Sequence, residues 1–334
     1  MNAFVPAEWS PHRAMWVGFP SHADLWADDL APAQAEVAAL ARALAGPGAE
    51  RVRLMVCGPA AEAAAHALLS DVSGVELVQG RFGDVWLRDT GPIFLRRGGA
   101  LSAAGFRFNG WGGKYMLDGD DGVAAQIAAA AATPLEPNDI VLEGGALDHD
   151  GQGVILTTRQ CLLNPNRNPD WDEAQAEAAL GKALGAKRVL WLGDGLKGDH
   201  TDGHVDNLAR FVAPGLVACP IAWGSADPNA AVYDDAARRL AGMTDARGAP
   251  LQIARIASPG RIETDDGEVV PASHMNFLIA NGAVIVPLYE ERSGAFALEA
   301  LRSLFPERTV IGLPSRALLT GGGSFHCISQ QEPA

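Results

Sequence analysis

Apolar residues along this 334-residue chain fall into short runs separated by helical stretches and by turns rich in glycine and proline. Residues 1–29, with Trp9, Trp16 and Trp26 among prolines, read as a strand plus loops. A helix is expected over Ala31–Leu44, where Val37, Leu40, Ala41 and Leu44 share one face and Gly46-Pro47 supply the stop. Arg51–Cys57 reads as a strand ended by Gly58-Pro59, and Val75–Gln79 as another. Helical segments are expected to begin near residues 59, 121, 171, 229 and 294. Between them lie apolar runs of strand length over 101–108, 139–142, 153–158, 187–192, 215–219, 251–256, 275–280, 283–287 and 308–312. Helix starts recur at intervals of roughly 50 to 65 residues, a periodicity of architecture without visible sequence identity between units. This predicts an α/β chain of about five β-rich units, each with one helix, in one domain spanning 1–334; ordinary βαβ units alternate more tightly. No low-complexity linker divides the chain, and 257–272, with Asp265-Asp266-Gly267, reads as an exposed loop.

Composition narrows the setting. The chain is 48 % hydrophobic and 20 % charged, as expected of a soluble globular protein large enough for an extensive core. No signal peptide is read at the N-terminus, and no apolar run reaches the roughly 18 residues of a membrane span. The four cysteines, at 57, 161, 219 and 327, form no Cys-x-x-Cys pair, which argues against a disulfide framework or structural zinc and fits a reducing cytoplasm. A net charge of −14 disfavours nucleic acid and favours small cationic partners by long-range attraction. A homodimer is compatible with the sequence, which does not fix the oligomeric state.

Candidate chemistry lies in scattered polar clusters. Gly321-Gly322-Gly323 leads through Ser324-Phe325-His326 into Cys327, with a polar tail, Ser329-Gln330-Gln331-Glu332, after it. Glycine runs mark positive φ or close approach, so the Cys327 sulfur is expected to face a ligand. Trp86-Leu87-Arg88-Asp89-Thr90-Gly91-Pro92 is either an Arg–Asp pair closing a turn or a carboxylate at a strand end beside an apolar wall, Trp86. Glu143 ends an apolar run and enters Gly144-Gly145, a placement that favours a site over an unpaired buried carboxylate. In Asp199-His200-Thr201-Asp202-Gly203-His204-Val205-Asp206-Asn207, an extended backbone would put His200, Asp202, His204 and Asp206 on one face. Cys161 to Pro169 reads as turn chemistry with an arginine. His326 points away from Cys327 in an extended chain and is a poor candidate for the base.

If Asp89, Glu143, His204, Asp206 and Cys327 converge, several carboxylates surround one thiol. A guanidinium suits such a site: it is planar, cationic and rich in N–H donors for bidentate carboxylates. Held in one plane, its carbon is open to perpendicular attack by sulfur. The bound cation helps form the thiolate, His204 protonates departing ammonia, and water then releases a ureido product from an amidino-thioether. No metal or organic cofactor is needed.

The same residues resemble the agmatine deiminase family, which includes the bacterial peptidyl-arginine deiminase type, among the guanidine-modifying enzymes of the pentein fold. The matching segments are Trp86-x-Arg88-Asp89-x-Gly91-Pro92, Asn109–Tyr115, Glu143-Gly144-Gly145, Asn166–Pro169, Gly203–Asn207, Asn276-Phe277, and His326-Cys327 with Gln330-Gln331. The resemblance implies a five-bladed α/β propeller with pseudo-fivefold symmetry. It implies Cys327 as nucleophile, His204 as general acid/base, Asp89 and Asp206 as guanidinium-binding carboxylates, and Glu143 as the group holding or polarising His204 or the substrate. Trp86 would line the channel for the aliphatic arm. The chain departs from the family pattern at His200 and Asp202, where an acidic residue and an asparagine are usual, and at Ser324-Phe325. These departures lie near the substrate's far amine and leave agmatine, another alkylguanidine, arginine and peptidyl-arginine open. Readings from other classes are a metal-dependent hydrolase using His200, His204 and Asp206, and a non-catalytic guanidine-binding module.

Overall fold

Among the described residues, the strands form five sheets of three or four strands each. The structure is a computed structural model that describes residues 3–264 and 266–334; Met1, Asn2 and Asp265, the last part of the expected exposed loop, lie outside the described residues.

One pattern recurs. Ile93–Arg97 pairs antiparallel with Ala100–Arg107, the helix Val123–Ala130 crosses over, and Leu135–Val141 returns parallel to Ala100–Arg107. Asp148–His149, Val154–Thr158, helix Glu173–Leu184 and Arg188–Leu192 repeat it. So do Arg210–Ala213, Leu216–Ile221, helix Ala230–Ala241 and Gln252–Ala257. Leu278–Ile279, Ala283–Leu288, helix Glu291–Leu304 and Thr309–Pro314 form another copy. The parallel return needs a crossover, which is why each unit carries a helix. This is the α/β, five-unit architecture that the hydrophobic pattern predicts.

The first unit differs in two ways. Its repeating helix is Leu30–Ala45, which buries the predicted face of Val37, Leu40, Ala41 and Leu44; Pro59–Leu69, expected to open the series, is an additional helix leading to an added strand, Val75–Gln79. Its antiparallel strand comes from the other end of the chain. Ser329–Pro333 pairs with His12–Gly18. The tail expected to be merely polar is therefore an interior strand. Three of its polar residues find partners inside: Glu332, fully buried, accepts from Trp16 Nε1 at 2.9 Å and Arg53 Nη1 at 3.1 Å, Gln330 accepts from Arg88, and Ser329 donates to the His326 carbonyl. The stretch 257–272 is exposed only in part, since Ser258, Ile262 and Ala272 are buried and Glu263 bridges Val269. No helix of the described residues is long and apolar enough to cross a membrane.

Five links join the last strand of one unit to the first strand of the next: residues 80–92, 142–147, 193–209, 258–277 and 315–328. They touch in a closed ring. Gly145 N–H donates to Asp89 Oδ1 at 2.9 Å, and Gly145 lies against His204. Asn276 donates to Asn207 Oδ1 at 2.9 Å and to Cys327 Sγ at 3.0 Å, and Arg88 N–H donates to the Cys327 carbonyl at 3.0 Å. Strand ends in α/β sheets are a favoured place for ligand sites, and here five of them meet.

Candidate active site

Three of the links, 80–92, 193–209 and 315–328, line one cavity, while 142–147 and 258–277 pack against them; Glu143, His204 and Asp206 lie behind the lining. Leu87–Thr90 is a single helical turn that aims Asp89 inward. Asp89 Oδ2 accepts from Trp111 Nε1 at 2.9 Å. Arg88, one residue earlier, points elsewhere, donating to Gln330 Oε1 at 2.7 Å and to the His326 carbonyl at 3.3 Å. The Arg88–Asp89 turn-closing pair is thus corrected: a helical turn sends adjacent side chains to different sides.

Glycine at 145 is a matter of space. A Cβ there would lie 2.5 Å from His204 Nδ1, 2.8 Å from Asp89 Oδ1 and 3.2 Å from Asp206 Oδ2. These distances also gather the histidine and the two carboxylates around one glycine; His204 Nδ1 lies 3.7 Å from Asp89 Oδ1. Gly323 is equally constrained, its Cβ position being 2.5 Å from the Trp86 ring and 3.1 Å from Cys327 Cβ. The glycine run lets the chain pass under an indole on its way to the sulfur.

The 193–209 link is not extended. Asp202 has φ 64° and Gly203 φ 86°, and Val205–Asn207 form a short 3-10 turn. The expected single face of His200, Asp202, His204 and Asp206 is therefore corrected. His204 and Asp206 are fully buried in the centre. His200 lies at the cavity rim, its Nδ1 2.9 Å from the Tyr115 hydroxyl, so the metal set of His200, His204 and Asp206 does not assemble. Asp202 is tied to Lys114 Nζ at 2.6 Å, to Asn166 Nδ2 at 3.0 Å and to Arg167, and it does not line the cavity. Asp199 staples the link: its Oδ1 accepts from Thr201 N–H at 2.9 Å, and Thr201 Oγ1 accepts from His204 N–H at 3.1 Å.

Glu143 is 1 % exposed, and its Oε1 accepts from Arg167 Nε at 2.8 Å. Arg167, read from sequence as part of a structural turn, instead neutralises this carboxylate and joins it to Asp202. Glu143, Cys161 and His204 offer ligand atoms within 4.8 Å of one another. Arg167 already occupies that carboxylate, a poor partner for a cation, and burial raises the Cys161 thiol well above its ordinary value.

The cavity measures about 300 Å³, with Trp26, Trp86 and Trp111 on its walls, Cys327 and Asp89 in its lining, and Leu25, Asp29, Tyr115 and His200 among its other residues. Asp84 fixes two of the indoles, accepting from Trp26 Nε1 at 3.0 Å and Trp86 Nε1 at 2.6 Å. Trp111 adopts φ 52°, a left-handed conformation that costs a non-glycine residue about 1 to 3 kcal/mol. Sequence reasoning missed Asp84, Trp26, Trp111 and Asn276 as site residues. For Asn276 and Trp111 the only signal was membership of matching segments. Asn276 holds the Cys327 segment by three hydrogen bonds: Oδ1 accepts from the N–H groups of His326 at 2.9 Å and Cys327 at 3.2 Å, and Nδ2 donates to Cys327 Sγ at 3.0 Å.

Electrostatics divide the groups. Burial, with Asp206 and Glu143 nearby, raises Asp89 well above the usual carboxylate range. Burial also acts on Asp206, but hydrogen bonding and charge from His326 outweigh it and hold that carboxyl low. Burial pushes His204 down to about 3, against the pull of Asp206, so its ring is neutral near pH 7. Burial and the charges of Asp206 and Asp89 push the Cys327 thiol well above its ordinary value. His204 Nδ1 and Nε2 and Asp206 Oδ1 are buried without a hydrogen-bond partner. Such groups are costly to leave unmet.

The comparisons with known proteins agree. A model of the Porphyromonas-type peptidyl-arginine deiminase family matches residues 4–333, so the chain belongs to that family of α/β enzymes. Within it, the chain is 38 % identical to the agmatine deiminase of Stutzerimonas stutzeri, over 99 % of this chain and 95 % of that one. It is 36 % identical to the agmatine deiminase of Pseudomonas fluorescens, over 99 % and 95 %. The solved agmatine deiminase of Enterococcus faecalis superimposes with a TM-score of 0.93 at 33 % identity, covering 99 % of this chain and 96 % of that one. A DDAH from Pseudomonas aeruginosa shares the fold at a TM-score of 0.53 and 14 % identity, covering 96 % and 99 %.

Proposed function

We propose that this chain deiminates a guanidinium substrate, hydrolysing agmatine to N-carbamoylputrescine and ammonia. The observation that carries the reading is the set of unpartnered buried atoms, both ring nitrogens of His204, beside Asp89, and Oδ1 of Asp206, whose other oxygen lies 3.7 Å from the Cys327 sulfur. A guanidinium supplies a donor for Asp206 Oδ1 and for the unprotonated ring nitrogen of His204, together with the missing positive charge. Agmatine is favoured over free arginine by the lining: its charged residues are Asp29, Asp84 and Asp89, with no lysine or arginine among the described lining residues to receive an α-carboxylate. The relatives named as agmatine deiminases support the same choice.

The cation binds between Asp89 and Asp206 and lowers the cost of ionising Cys327. Neutral His204 takes the thiol proton, and sulfur attacks the guanidinium carbon. The resulting imidazolium returns the proton to the departing nitrogen, which leaves as ammonia, and an amidino-thioether remains. Water, deprotonated by His204, adds to that carbon; the carbon–sulfur bond breaks, and the ureido product leaves with the thiol restored. Glu143, held by Arg167, supports the His204 side of the site, and Trp86 flanks the aliphatic arm.

Release of ammonia should be compared for agmatine, arginine and arginine-containing peptides by kcat/KM, with Cys327→Ser as control. The expected result is preference for agmatine and no turnover in the variant. Full activity in Cys327→Ser would end the covalent reading, and preference for arginine or peptides would overturn the choice of substrate.

A further inference from the structure

Asp206 divides its oxygens. Oδ2 lies 2.7 Å from His326 Nδ1, while Oδ1, equally buried, has no partner. The other ring nitrogen of His326, Nε2, lies 3.3 Å from Glu8 Oε2. The two ring nitrogens of His326 thus face two different carboxylates. Glu8 is itself immobile. Its Oε1 accepts from Ile279 N–H at 2.7 Å, and its Oε2 is also bound by Arg210, a fully buried guanidinium that donates to Asp148 Oδ1 at 3.0 Å and to the Phe277 carbonyl at 3.0 Å. Burial works to raise Glu8, yet Arg210 and His326 keep it well below the usual carboxylate range.

We propose that His326 is a positioning residue for the reaction above: anchored by Glu8 and Arg210, it holds Asp206 Oδ2 so that Oδ1 is presented to the guanidinium. The residue next to the nucleophile thereby sets the orientation of the substrate's carboxylate clamp. It does not touch the reacting atoms, and no proton passes through it. The inference rests on the deiminase reading, because it concerns the same pocket.

Two substitutions separate positioning from space-filling. An asparagine amide nitrogen is as many bonds from Cα as Nδ1, and a glutamine amide nitrogen as many as Nε2. His326→Asn therefore keeps the donor to Asp206 and gives up Glu8, whereas His326→Gln keeps the contact with Glu8 and leaves Oδ2 with only the longer contact, 3.7 Å, to the Cys327 thiol. In ammonia-release assays with agmatine, His326→Asn is expected to hold KM within about threefold of the parent, and His326→Gln to raise it about tenfold, with a smaller change in kcat. Binding of agmatine to the same two variants in a Cys327→Ser background, followed by calorimetry, should show the same order. Glu8→Gln provides a second route should His326→Gln not fold, with an expected KM rise of about threefold. Equal KM values for the two His326 variants, or an unchanged KM in Glu8→Gln, would overturn the proposal while leaving deimination intact. Agmatine binding that follows the predicted order without turnover in the parent would overturn deimination and leave the positioning role standing. No agmatine binding to Cys327→Ser at all would overturn both.

Discussion

The sulfur of Cys327 lies 3.7 Å from Oδ2 of Asp206, a thiol held against a carboxylate in a buried site. A negative neighbour opposes thiolate formation. On the proposed reading, the thiol is therefore quiet without substrate, and the positive charge of a bound guanidinium makes it competent.

This relationship predicts the pH dependence of Cys327 alkylation. Because burial, Asp206 and Asp89 raise the thiol, the thiolate fraction near pH 7 is smaller than for a free cysteine, and it continues to grow above pH 9. Iodoacetamide labelling of Cys327, read by peptide mass spectrometry, should be slower than that of a model thiol at pH 7.5 and still rising past pH 9. A plateau below pH 8 would show that the site stabilises the thiolate without substrate.

A methyl group at position 145 should disable the site without unfolding it. In Gly145→Ala the new Cβ must displace His204 Nδ1, 2.5 Å from its ideal position, or Asp89 Oδ1, 2.8 Å away. Displacement of reacting groups by about 1 Å can cost about a hundredfold in rate. Steady-state kinetics should show kcat reduced to this order, with a far-ultraviolet circular dichroism spectrum like that of the parent. Near-parental kcat would mean that His204 tolerates relocation.

Asp84 links the aromatic walls to pH. Burial raises its carboxyl to about 6, and Asp120 adds to the effect. The folded state thus binds this proton more tightly than the unfolded chain, and the associated stability is present below the unfolded value, near 3.8, and is lost as pH rises through about 6. Removing the group removes that loss. Compared with the parent, Asp84→Asn should be least stable near pH 4, and the deficit should shrink up to about pH 6, as measured by thermal unfolding across that range. The same variant turns an amide N–H toward one of the two indole N–H groups, so KM for agmatine should rise. A stability difference independent of pH would remove Asp84 as the titrating group.

Much of the architecture was legible because strands and helices bury apolar residues at regular spacing. The Val37, Leu40, Ala41 and Leu44 face and the Val75–Gln79 strand lie where the pattern puts them. Ser329–Pro333 was not legible, since its buried side chains are polar and their partners, among them Trp16, Arg53 and Arg88, come from distant parts of the chain. The site shows the same division. Cys327, Asp89, Glu143, His204 and Asp206 stand out as reactive types beside glycines. Asp202 does not join them, because positive φ at 202 and 203 breaks the alternation assumed for an extended chain. Arg167 was hidden because its role is set by Glu143, which it meets only after folding.

The interior strand Ser329–Pro333 begins two residues beyond the proposed nucleophile and closes the first sheet against His12–Gly18. A polypeptide cut short of Ser329 would lack both the seam of that sheet and the anchor that seats the sulfur against its neighbours. Premature termination or C-terminal clipping should therefore yield material that fails to assemble the pocket at all, not a weakened catalyst.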